Sequence, residues 1–148
     1  MTTGFDELQN QIMVEMRQTY TETVIDHAMN PRNVGSIPGA DGFATVTGPC
    51  SDTMEIWLKV KDNKVADATF WTDGCGTSIA CGSMATELTK GRNVAEALAI
   101  EQSKILEALG GLPEDSLHCA LLASNALQAA IRDYLAVKRD SWKKAYRR

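Results

Sequence analysis

No apolar run in the 148 residues approaches the roughly 18 that a membrane-spanning helix requires. The start also lacks a charged segment followed by an apolar one, so neither a membrane anchor nor a secretory leader is expected, and the cytoplasm is the expected compartment. Dense basic runs are missing too: 15 Lys and Arg face 19 Asp and Glu, for a net charge of −4, which argues against nucleic acid as a partner. Only Lys138-Arg139, Lys143-Lys144 and Arg147-Arg148 are locally basic, and they read as a solvated helix end. There is no internal repeat, no low-complexity segment and no close Cys-x-x-Cys pair of the zinc-finger kind.

The chain has the length of one domain, 1–148, and with 44% hydrophobic residues it can bury a core without a disulfide or a metal to staple it. Its four cysteines, in a chain with no secretory signal, therefore point to metal binding or thiol chemistry. Apolar residues Phe5, Leu8, Ile12, Met16, Tyr20 and Val24 recur every three or four positions, which predicts one long amphipathic helix over 5–29 ending before Pro31. Residues 1–19 form an N-terminal helical extension in this reading. An irregular stretch follows, and then three strands over 43–47, 54–60 and 65–72, rich in Val, Ile, Thr, Phe and Trp. The polar turn 61–64 predicts an antiparallel hairpin between the second and third strands.

The remainder reads as helical. Thr77 or Ser78 is the expected cap of a helix running to Lys90 and stopped by Gly91. Asn93 with Glu96 caps a short helix through Leu98, another spans about 103–109 before Gly110-Gly111, and Ser116 is the expected cap of the last. The fold class is thus α+β, a three-stranded antiparallel sheet packed with helices.

Chemistry concentrates at three places. Cys75 lies between two glycines after the third strand, Cys50 and Asp52 lie in Gly48-Pro49-Cys50-Ser51-Asp52, and His118-Cys119 falls in the first turn of the last helix. Unpaired N–H groups and the positive end of a helix dipole favour a thiolate. Thiolates are both sulfur nucleophiles and soft-metal ligands, and imidazole and carboxylate widen the set to zinc or iron. Cys50, Asp52, Cys75, His118 and Cys119 are therefore expected to converge on one metal or iron–sulfur site. Cys81 falls within a helix and is expected to be buried.

The segments Val24-Ile25-Asp26-His27, Asn30-Pro31-Arg32-Asn33-Val34-Gly35, Gly48-Pro49-Cys50-Ser51-Asp52, Gly74-Cys75-Gly76-Thr77-Ser78-Ile79-Ala80 and His118-Cys119 closely resemble the IscU/NifU N-terminal family of iron–sulfur cluster assembly scaffolds, from about Tyr20 to Tyr134. The resemblance implies a non-enzymatic scaffold that builds a labile [2Fe–2S] cluster from iron and persulfide sulfur and hands it to apo iron–sulfur proteins. It implies Cys50, Cys75 and Cys119 as cluster ligands, Cys119 as the thiol that accepts sulfur from a cysteine desulfurase, and Asp52 or His118 as the fourth ligand. The cluster-bound form is expected to be a homodimer or higher oligomer, and the isolated apo form can carry zinc. His27 reads as structural, stabilised near a helix C-terminus. Ser51 stands where the family has glycine, and Cys81 stands where it has a small residue. Leu112-Pro113-Glu114-Asp115-Ser116 replaces the Leu-Pro-Pro-Val-Lys that recruits a specialised Hsp70 chaperone, so that partner is not expected. The rival reading is a zinc-bound, SufU-type sulfur acceptor, whose relatives carry an insertion before the third cysteine and lack the preceding histidine.

Overall fold

The computed structural model describes residues 4–139. In chain order they form α1 (Gly4–Thr19), α2 (Glu22–Met29), β1 (Gly42–Thr47), β2 (Thr53–Lys61), β3 (Lys64–Thr72), α3 (Gly76–Thr89), α4 (Val94–Leu98), α5 (Gln102–Leu109), a 3-10 turn (Glu114–Ser116) and α6 (Leu117–Arg139). Residues 143–148 of the basic tail lie outside the described residues.

The three strands pair in the order β1-β2-β3, antiparallel throughout. Alternation along β2 sends Met54, Ile56 and Leu58 into the core, and Ala68 and Phe70 of β3 lie on the same buried face. The β2–β3 connection turns through Asp62 and Asn63, at φ 53° and 64°, the two left-handed positions of a type I′ hairpin turn. Helices cover the buried face: α6 crosses β1 and β2, and α3 lies on β3. Both approach closely because glycine removes a side chain at each contact. A Cβ on Gly42 would sit 2.6 Å from the Ala130 carbonyl oxygen of α6, and one on Gly82 of α3 would sit 2.4 Å from the Phe70 ring. α6 buries a stripe of Ala120, Ala123, Leu127, Ala130 and Ile131, with Tyr134 partly covered.

Three expectations change at helix ends. The N-terminal helix is two helices, because Thr21 takes an extended conformation and caps α2: its hydroxyl accepts from the Val24 N–H at 3.1 Å and donates to the Leu109 carbonyl. The cap of α3 is Cys75, with Thr77 and Ser78 buried in the first turn. Ser116 closes a 3-10 turn that runs directly into α6 instead of capping it. The capping box of Asn93 with Glu96 and the left-handed stop at Gly110 are as expected.

The irregular stretch before β1 is fastened at both sides. Phe70 N–H donates to the Asn33 carbonyl at 2.9 Å and Gly35 N–H to the Phe70 carbonyl at 3.0 Å, covering part of the β3 edge. Ser83 on α3 accepts the Arg32 N–H at 3.0 Å, and its hydroxyl shares a hydrogen bond with Nδ1 of His27 at 2.7 Å. His27 is buried, and burial, with the Arg32 charge adding to it, holds its pKa below the ordinary imidazole value, which disfavours the helix-end cation expected from the sequence.

α1 packs only lightly on this body. It buries no residue of its own, and Phe5, Leu8, Ile12 and Val14 are all exposed.

Candidate metal centre

One end of the sheet carries the candidate residues. Thr47 pairs with Thr53 and Met54 with Thr72, so the β1–β2 turn and the segment after β3 lie side by side. The first is a tight turn in which Ser51 N–H donates to the Gly48 carbonyl at 3.1 Å and Gly48 N–H to the Asp52 carbonyl at 2.7 Å. The second is latched to it: Asp73 Oδ1 accepts the Thr53 N–H at 2.8 Å, and the Thr72 hydroxyl donates to the Thr53 carbonyl at 2.7 Å.

Ser51 closes the β1–β2 turn at φ 63°, in the left-handed region where a Cβ is disfavoured. Ser51→Gly is therefore expected to stabilise the fold by about 0.5–1 kcal/mol, the relief of strain exceeding the entropy glycine adds to the unfolded chain. Thermal melting checks this, and a lower Tm would mean that the Ser51 side chain holds the turn.

The candidate ligands meet around Ser78. This hydroxyl is fully buried in the first turn of α3, three residues after Cys75 and so on the same helix face. It lies 3.4 Å from Asp52 Oδ2, 3.5 Å from Cys119 Sγ and 3.9 Å from Cys75 Sγ. His118 Nε2 is 3.6 Å from the same Cys119 sulfur. Gly74 makes the room, since a Cβ there would fall 2.6 Å from the Ser78 oxygen and 3.2 Å from Asp52 Oδ2. Asp52, Cys75, Cys119 and His118 are thus drawn together. Cys50 stands exposed on the turn two residues before Asp52. Among the described residues, no three His, Cys, Asp or Glu side chains are gathered closely enough to hold a metal ion, so ligation requires the thiols to close in.

The thiols differ in chemistry. Burial disfavours a Cys75 thiolate, but the N–H groups and hydroxyls of Ser78 and Thr77 outweigh it and hold this half-open thiol below its ordinary pKa. Cys119 is buried, which pushes its pKa up to about 11 against the Ser78 hydrogen bond, with Cys75 and the Asp52 charge adding to the rise. Cys81 is fully buried, and burial raises its thiol far above the ordinary value, as a core residue requires.

Sequence reasoning missed Ser78 as part of the site. The three-residue spacing from Cys75 was the available signal for Ser78, and a hydroxyl at a helix start reads first as a cap. An apolar cleft of about 180 Å³, lined by Met16, Tyr20, Val24 and Ala28, opens beside Cys75. A larger one, about 450 Å³, lies away from the site among Leu88, Arg92, Ile100 and Lys104.

Fold and site together define a class: an α+β domain whose sheet end gathers thiols and a carboxylate in a setting suited to soft metals. Comparison with known proteins then gives the family. The NifU-like N terminal domain matches residues 19–141, and the chain belongs to that family. It is 53% identical over 116 residues to the iron–sulfur cluster assembly scaffold protein IscU 1 of Archaeoglobus fulgidus, covering 78% of this chain and 76% of that one. It is 48% identical over 122 residues to the IscU scaffold protein of Haemophilus influenzae, covering 79% and 96%. Among solved structures, a NifU-like N-terminal protein from Brucella abortus superposes with TM-score 0.61 at 21% identity, over 78% of this chain and 94% of that one. An iron–sulfur cluster assembly scaffold of the SUF system from Fervidobacterium islandicum does so with TM-score 0.61 at 23% identity, over 76% and 96%. At these identities the two structures speak to the fold alone. The α+β architecture and the family resemblance read from the sequence are both borne out.

Proposed function

We propose that this chain is a scaffold on which iron and sulfur are assembled into a labile [2Fe–2S] cluster that is then passed to apo-proteins. The observation that carries the reading is the meeting of Cys75, Cys119 and Asp52 at one buried hydroxyl, with Cys50 on the adjoining turn and His118 against Cys119. The high identity to proteins named as IscU scaffolds supports it. Cys50, Cys75 and Cys119 are the cluster ligands in this reading, and Asp52 or His118 completes the four that a [2Fe–2S] cluster takes.

Sulfur arrives as a persulfide on a cysteine desulfurase. The Cys119 thiolate attacks the outer sulfur, the desulfurase S–S bond breaks, and the desulfurase cysteine leaves as thiolate. The Cys119 proton passes to His118 Nε2, 3.6 Å away, in the Nδ1–H tautomer. Because Cys119 is buried behind Ser78, it must be uncovered for this step, while the more open Cys75 is free to take the first iron. The rival reading, a zinc-bound acceptor that relays persulfide, uses the same thiols, since a set of three cysteines with Asp or His suits zinc as well as iron.

Anaerobic reconstitution with ferrous iron, cysteine, a cysteine desulfurase and a dithiol reductant that brings the persulfide sulfur to sulfide is the test. The expected product has equal iron and sulfide, visible cluster absorption, and the mass of a dimer or larger species in light scattering. The exposed Phe5, Leu8 and Ile12 stripe of α1 gives a second copy an apolar surface to cover. Sulfide-free zinc protein that accelerates the desulfurase would favour the relay instead, and a monomer carrying full iron and sulfide would sink the shared cluster.

A further inference from the structure

Asp52 has a weak hold on its own position. It lies between the strained Ser51 and the start of β2, half-buried, and among the described residues its carboxylate makes one hydrogen bond, to the Ser78 hydroxyl. That hydroxyl has a single proton and two acceptor lone pairs. Its neighbours at hydrogen-bonding range are a carboxylate oxygen at 3.4 Å and two thiol sulfurs at 3.5 and 3.9 Å. A carboxylate only accepts, so the bond to Asp52 must use that one proton, the same proton that the Cys119 sulfur shares at 3.5 Å.

We infer that Ser78 is a positioning residue for metal capture, aiming the Asp52 carboxylate at the two thiols through this one hydroxyl. The inference rests on the reading of this centre as a metal and cluster site. Packing supports it independently: Ser78 is fully buried, and the missing side chain at Gly74 is what lets its oxygen reach Asp52. Ser78 cannot shift aside without entering either the core or the space Gly74 leaves. The hydroxyl contacts three groups on three different segments, the β1–β2 turn, the start of α3 and the start of α6. It therefore fixes the distance across which the site must close when a metal enters. Groups that orient metal ligands without binding the metal commonly govern affinity about 10- to 100-fold.

The test is a double-mutant cycle read by Co²⁺ binding to the apo chain, using the d–d bands and the sulfur-to-cobalt charge-transfer absorption. Ser78→Ala keeps the Cβ and removes only the hydroxyl, so its Tm is expected to stay within a few degrees of the parent. It should weaken Co²⁺ binding about tenfold and alter the d–d pattern. In an Asp52→Ala background the same change should cost less than about twofold, because its means of action is already gone. Equal losses in both backgrounds, or no loss in either, would overturn the positioning role while leaving the metal site in place. Failure of the parent chain to bind Co²⁺ at all would overturn the metal-site reading and this inference with it.

Discussion

Replacing Cys50, Cys75 or Cys119 with serine is expected to lower iron and sulfide retained after reconstitution at least tenfold, while the same change at Cys81 leaves loading intact. A serine oxygen is a hard, weakly acidic donor that replaces a thiolate poorly on a cluster iron. A tenfold loss corresponds to about 1.4 kcal/mol of binding free energy, a small demand on the loss of one ligand in four. Cys81 differs in place and in protonation. It is fully buried in α3, and burial holds its thiol in the neutral form. Cys81→Ser puts a hydroxyl in the core at a cost of about 1 kcal/mol, moderated by a back-bond to the carbonyl one turn earlier. Thermal melting of all four variants separates folding from ligation. Equal loss of loading from all four would remove the distinction between ligand and core cysteines.

Asp52→Ala is expected to lengthen the life of the cluster in air and slow its transfer to an apo-ferredoxin, each by roughly fivefold, as a barrier about 1 kcal/mol higher would give. As a ligand, the carboxylate would be a hard donor among soft ones, readily displaced by water or by an incoming thiol. Among the described residues only the Ser78 hydroxyl bonds its side chain, so as a ligand it would be able to leave the metal and return without disturbing the fold. In the proposed role, removing it would take away an exchangeable position through which the cluster is both attacked and handed on. The decay of visible absorption in air, with and without acceptor, measures both rates. Faster loss from the variant would make Asp52 a stabilising ligand.

The sheet was readable because its signals are local. Met54, Ile56 and Leu58 alternate with polar or outward residues, Asp62-Asn63 is turn chemistry, and Asn93 with Glu96 is a cap complete within four residues. The candidate cysteines were readable for the same reason, each beside Gly, Pro or a helix start. What escaped was decided at a distance. The apolar spacing runs on through Tyr20 to Val24 without a gap, and the break at Thr21 is fixed in part by the Leu109 carbonyl, 88 positions away. Cys75 carries no cap signal, so the sequence pattern puts the start of α3 two or three residues late. Ser78 becomes part of the site only when α6 brings Cys119 to it. A hydroxyl has no local mark that tells a hub from a cap.

The light packing of α1 on the body divides the molecule into two levels of stability. A helix of 16 residues that fully buries none of them gains little from packing beyond Met16 at the cleft beside Cys75, and ion pairs as exposed as Arg17–Glu22 add little. Its amides should therefore exchange with solvent deuterium through local opening, at rates close to those of an isolated peptide. Those of α6, with Ala123, Leu127 and Ile131 at zero exposure, should exchange only when the whole domain unfolds. Protection of α1 on cluster loading would then report directly what the helix meets, and brief trypsin treatment should cut at Arg17 before it reaches any bond in the sheet.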